Sequence, residues 1–209
     1  MIKVSPEEPA TIYAKDFDNN GSTDALMCYY IMGISYPFYP KNDIQDQLPF
    51  IKKKYLTYES YANQTITDIF SPEELNDALI LKASKFESCY MENKGDNQFK
   101  LSPLPREAQY SPIYAISSGD YNHDGNPDMI LAGNFYGTKI QFGEYDANKG
   151  LMLTGNGKGS FAAVSDTLSG LWINGEVRDI ADVKLATGKN ILVFALNNDT
   201  ARIYGNNMK

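Results

Sequence analysis

Apolar residues in this chain come in short runs separated by clusters of Asp, Asn, Gly and Pro. Runs of that kind between turn formers predict strands rather than long helices. One pair of runs, "ATIYAK" and "SPIYAIS", precedes the Asp-rich stretches "DFDNNGSTD" and "DYNHDGNPD", and another pair, "ALMCYYIMG" and "MILAGNF", follows them. Further along, "MENKGDNQFKLSPLP" and "LTGNGKGSFAAVSD" set Gly and Asn between strand-like segments, as a hairpin requires. A third unit opens at "LWINGEVRDIADVKLATGKNILVFALNNDTARIY". Self-similarity over tens of residues predicts a repeat architecture of β units.

One segment interrupts the period. Roughly 40 more residues separate the first hairpin from its Asp-rich stretch than separate the second from its own. These extra residues, 42–88, read as a helical insertion in the first unit. "SPEELNDALILKASKFE" offers Ser71 as N-cap, Pro72 at the first helical position and Glu74 closing a capping box. Leu75, Ala78, Leu79 and Phe86 then follow at helical spacing, with Lys82 as an amphipathic stem. The preceding "IQDQLPFIKKKYLTYESYANQTITDIF" predicts a further helix, broken or begun near Pro49, with Lys52, Lys53 and Lys54 on a solvated face.

The Asp-rich stretches share the pattern Asp-x-Asp/Asn-x-Asn/Asp-Gly-x-x-Asp. Like charges at alternate positions make sense as a shell around a hard cation, because calcium takes six to eight oxygen ligands and alternation turns every second side chain inward. The first loop supplies Asp16, Asp18, Asn20, the Ser22 carbonyl and Asp24; the second supplies Asp120, Asn122, Asp124, the Asn126 carbonyl and Asp128. Gly21 and Gly125 fall where the loop turns sharply, and glycine reaches positive φ without steric cost. Asp, Asn and Gly also dominate ordinary turns, so the repetition of the spacing is what favours two Ca2+ sites. An EF-hand is excluded, since its twelfth position needs a bidentate Glu and Met27 and Leu131 stand there. In the third unit Lys184, Ala186 and Asn190 occupy the corresponding places, so no metal is expected.

Composition narrows the function. With 209 residues, 43% of them hydrophobic, the chain can bury a substantial core. A net charge of −7 argues against a nucleic-acid partner, and the 15 tyrosines and 10 phenylalanines suit strands. No apolar stretch is long enough to predict a membrane span, and "MIKVSPEEPA" lacks the apolar core of a signal peptide.

The two Asp-rich loops, the apolar strand after each, and the hairpins "NKGDNQF" and "GNGKGSF" resemble FG-GAP or VCBS-type repeats, the blades of calcium-bearing β-propellers. The helical insertion followed by "CYMENKGDNQFKLSPLP", together with "GEVRDIADVKL", is similar to the C-terminal part of bacterial proteins that join VCBS repeats to an ASPIC/UnbV region. The resemblance covers nearly the whole chain. It implies a mainly β fold: residues 1–209 as a single propeller segment of about three blades, with the α-helical insertion in the first blade. It also implies an extracellular or outer-membrane location and a non-enzymatic role in ligand, glycan or protein binding, without any catalytic residue. The alternative is part of a propeller-scaffold enzyme that processes polysaccharides. Three blades leave faces and edges open, so the expected partners are the remaining blades of a longer chain, the favoured reading, or another copy.

Single residues add little. Cys28 and Cys89 form either a disulfide or two buried thiols. His123, the sole histidine, takes an outward position of the second loop with no partners for a catalytic or zinc role. Trp172 reads as core.

Overall fold

The computed structural model describes residues 2–205, which fall into two compact units, one ending at Phe86 and one starting at Glu87. The fold is mainly β, built from several antiparallel sheets, none of which closes on itself among the described residues.

In the first unit, β1 (Ala10–Lys15), β2 (Asp24–Ile31) and β3 (Ile34–Pro37) form a meander. Five short helices follow: α1 (Lys41–Gln47), α2 (Phe50–Lys54), α3 (Tyr58–Ala62), α4 (Ile66–Ile69) and α5 (Pro72–Leu75). None is long enough to hold itself together. Capping by Thr57, Thr65 and Ser71 satisfies their first turns, and their apolar residues bury against the sheet. Leu26 and Cys28, alternate residues of β2, meet Ile44, Leu48, Ile51, Ile66, Ile69 and Phe70 in one cluster. The helices therefore complete the core of this unit.

The helix predicted from Ser71 through Phe86 is corrected beyond its first turn. Ser71 and Glu74 cap each other as expected, but the helix stops at Leu75, and Asp77 takes a left-handed φ of 60°. Leu79–Ala83 is instead a strand, β4, antiparallel to β1 with Ala14 opposite Leu79 and Ala10 opposite Ala83. The physical reason is twofold. Asn76 and Asp77 favour turn conformations over continued helix, and β1 otherwise presents an unpaired edge that "LILKA" satisfies with ladder hydrogen bonds. Lys15 Nζ marks the break by donating to the carbonyls of Glu74 and Asn76 at 2.9 and 2.8 Å. The sheet order is β3-β2-β1-β4.

The second unit opens with the hairpin of β5 (Cys89–Gly95) and β6 (Gln98–Pro103), turned by Asp96 and Asn97 at positive φ. A four-stranded meander follows: β7 (Ile113–Gly119), β8 (Asp128–Gly133), β9 (Leu151–Gly155) and β10 (Phe161–Val164). After the short α6 (Asp166–Ser169) come β11 (Val177–Lys184), β12 (Asn190–Leu196) and β13 (Arg202–Gly205) as a three-stranded sheet. Both predicted hairpins form. They differ in context, since β9 and β10 extend the sheet of β7 and β8 whereas β5 and β6 stand as a sheet of two. Lys184 and Asn190 face each other at the end of a β11–β12 turn. Trp172, read as core, is 60% exposed, because Leu171 and Ile173 on either side of it take the buried positions.

Alternation along β8 splits its side chains between two clusters. Ile130 and Ala132 pack with Met152, Leu171, Ile180, Leu192 and Phe194, while Leu131 packs with Leu153 and Ala108. At the end of β8, Gly133 lies so close to the Pro112 carbonyl that any Cβ would collide with it. A buried polar knot follows. Asn134 accepts from Ser111 Oγ at 2.8 Å and from the Asn148 N–H at 3.0 Å, and donates to the carbonyls of Asn148 and Gly175. Glu176 accepts from Asn197, the Tyr136 N–H and Arg178, whose guanidinium lies 4.4 Å from the Tyr114 ring centre.

The Asn197 amide first, then the Tyr136 N–H and Arg178, hold the Glu176 carboxyl below the ordinary 4.5. Its stabilising contribution is thus complete above that value and lost as pH falls through the lower folded one. Glu176→Gln is expected to lower the urea midpoint at neutral pH, with a gap from the parent that narrows under acid; a gap constant with pH would contradict this. Replacing residues 41–86 by a Gly-Ser linker is expected to cause aggregation, since it strips the cover from Leu26 and Cys28 and removes β4. A monomeric, folded product by size-exclusion chromatography and circular dichroism would show that the excursion is dispensable.

Candidate metal centre

The two Asp-rich stretches join the first and second strands of the two four-stranded sheets: residues 16–23 link β1 to β2, and residues 120–127 link β7 to β8. Their backbones agree position by position. The first carboxylate accepts from the N–H groups of the fifth and sixth residues: Asp16 from Asn20 and Gly21 at 3.0 and 2.9 Å, Asp120 from Asp124 and Gly125 at 3.1 and 3.0 Å. The third residue accepts from the fifth N–H, Asp18 from Asn20 and Asn122 from Asp124. The fifth accepts from the seventh, Asn20 from Ser22 and Asp124 from Asn126, both at 2.8 Å.

Two positions bend the chain. Gly21 and Gly125 have φ of 88° and 85°, as their place in the pattern predicts. Asn19 and His123 also sit in the left-handed region, at 59° and 61°. For Asn this is tolerated; His123 is an exposed turn residue.

The ninth residue is different in kind. Asp24 and Asp128 are 3% and 0% exposed, and burying a carboxylate is costly unless it is hydrogen-bonded. Asp24 accepts from the Phe17 N–H at 3.0 Å and from Gln47 Nε2 of α1 at 3.1 Å. Asp128 accepts from the N–H groups of Tyr121, Asn122 and Gly155 at 3.0, 3.2 and 2.9 Å. Phe17 is further fixed by Phe70, with ring centres 4.4 Å apart. Sequence reading missed Gln47 and Gly155. Neither lies near its loop in the chain, and only the packing of α1 and the pairing of β9 on β8 bring them in.

Hydrogen bonds to a charged carboxylate favour the charged form. The Gly21 N–H, followed by that of Asn20, holds the Asp16 carboxyl below the usual aspartate range. The Asn126 N–H and then the Asn122 amide do the same for Asp124. Burial pushes the free thiol of Cys28 up to about 12, which makes it an inert core residue; Cys89 is also free.

Oxygens of Asp16, Asp18 and Asp24 lie within 4.8 Å of one another. Ligands at 2.3 to 2.6 Å from one calcium ion are separated by at most about 5 Å, so this trio fits such an ion. In the second loop Asn122 stands where the first has Asp18, giving two carboxylates and an amide at the same places. The fifth residues, Asn20 and Asp124, and the seventh, Ser22 and Asn126, shape the turn through their N–H groups. No family model matches the chain, and no curated protein or solved structure matches it.

Asp128→Ala would take the acceptor from the buried N–H groups of Tyr121 and Gly155 and from the part-buried one of Asn122. Each costs on the order of 1 kcal/mol or more, so the variant is expected to lose about 3 kcal/mol of stability in urea unfolding. A loss under about 1 kcal/mol would mean that Asp128 does not anchor the loop.

Proposed function

We propose that this chain is a calcium-binding, non-enzymatic β module, a partial propeller of about three blades, that binds a glycan or protein partner at a bacterial cell surface. The observation that carries the calcium reading is the convergence of Asp16, Asp18 and Asp24 within the span of one coordination shell. The matching hydrogen-bond pattern at 120–128 supports a second site. Asp16, Asp18, Asn20, Ser22 and Asp24 hold the first ion, and Asp120, Asn122, Asp124, Asn126 and Asp128 the second. Bound calcium offsets the repulsion among each loop's carboxylates.

The binding role and the surface location rest on the resemblance to FG-GAP and VCBS repeats.

An ion bound only by the folded state raises stability by mass action, about 2.7 kcal/mol per site at a hundredfold excess over Kd. Melts in excess calcium are therefore expected several degrees above melts in chelator. By titration calorimetry Asp16→Ala and Asp120→Ala should each lose one ion, and Lys184→Ala none. Coincident melts and no binding heat in the parent chain would refute the reading.

A further inference from the structure

We propose that Asn20 is a site of spontaneous covalent conversion, in which the Gly21 amide nitrogen closes on the Asn20 side-chain carbonyl and the resulting succinimide opens to aspartate or isoaspartate. Three Asn-Gly pairs occur in the chain, at Asn20, Asn156 and Asn174. Glycine on the C-terminal side favours ring closure because no side chain shields the attacking nitrogen or restricts its φ and ψ.

The structure separates the three. At Gly21 no atom lies within 4 Å of the place a Cβ would take. At Gly157 that place is filled by Asn126 Oδ1, and at Gly175 it lies 2.7 Å from Leu196 Cδ2. Gly175 is further pinned through its carbonyl, which accepts from the buried Asn134 amide at 2.9 Å. All three asparagines are exposed, so the distinction lies at the glycines. Gly21 is thus the glycine of the three whose surroundings leave the attacking residue uncrowded.

Its polar neighbours favour the step as well. Asp16 Oδ2 lies 2.9 Å from the Gly21 nitrogen, where it can take the amide proton. The Ser22 N–H donates to Asn20 Oδ1 at 2.8 Å, holding the oxygen on which negative charge develops. The Gly21 N–Asn20 Cγ bond forms, the bond from Cγ to the side-chain nitrogen breaks, and ammonia leaves with the proton relayed by Asp16. Water then cleaves either imide C–N bond, the side-chain one giving aspartate's isomer-free backbone and the main-chain one giving isoaspartate. No oxidant or reductant is needed.

The aspartate product places a carboxylate at the fifth position, where the second loop already carries Asp124. A fourth acid in the first loop would then tighten calcium binding, a consequence that rests on the calcium reading; the conversion itself does not.

The test is peptide mass mapping, with isoaspartate labelling, of the whole folded chain aged in chelator at neutral pH. Asn20 is expected to convert at least about tenfold faster than Asn156 or Asn174, and Asp16→Asn to remove that advantage, since a positioned base is lost. Equal rates at the three pairs, or an Asn20 rate indifferent to Asp16→Asn, would overturn the proposal. Conversion at Asn20 in a chain that binds no calcium would uphold this site and sink only the calcium reading.

Discussion

A buried carboxylate at the first residue of a strand organises the junction of loop and strand in each four-stranded sheet. Burying a carboxylate without donors is costly, and the donors to Asp24 and Asp128 come from places that must therefore be in register. Phe17 N–H, or Tyr121 and Asn122 N–H, fixes the start of the loop; Gln47 brings in α1 on one side, and Gly155 the end of β9 on the other. The exposed carboxylates and amides of the loop then accept the remaining N–H groups of the turn. Strand, turn and next strand are locked by one set of hydrogen bonds before any ion is considered.

Around that common device the two units solve different burial problems. The first sheet is four strands wide and apolar on the face that carries Leu26 and Cys28, and the short helices cover it. The second unit packs sheet on sheet, with Ile130, Ala132 and Met152 meeting Ile180, Leu192 and Phe194. Its connections from β8 to β9 and from α6 to β11 are largely irregular backbone, which cannot be buried unless its polar groups are paired. Asn134, Glu176 and Arg178 do that pairing, so the polar knot is the condition for the apolar contact beside it.

The calcium role proposed for the loops draws on the same geometry. Turning every second side chain inward satisfies the backbone and at the same time gathers oxygens, so a turn well held by carboxylates is already close to a coordination shell. The first loop, with acids at its first, third and ninth places, brings three carboxylates within 4.8 Å of one another, whereas the second carries its three at the first, fifth and ninth places, with Asn122 at the third. An amide at the fifth place and open space around Gly21 leave the first loop chemically less settled than its counterpart.

Local features were legible in the sequence because they depend on neighbours in the chain. Short apolar runs beside the Asp-rich stretches marked β1, β2, β7 and β8; Ser71, Pro72 and Glu74 marked a helix start; the spacing of Asp, Asn and Gly marked both loops, including positive φ at Gly21 and Gly125. What failed was whatever a distant partner decides. "LILKA" carries apolar residues compatible with helix or strand, and only the free edge of β1 made it a strand. Trp172 looks buried by type, yet Leu171 and Ile173 took the inward positions. Gln47 and Gly155 have no mark in their own surroundings that joins them to Asp24 and Asp128. Propensity, capping and turn chemistry act over a few residues and can be read along the chain, whereas edge pairing and the pairing of buried charge are settled by which segments meet in space.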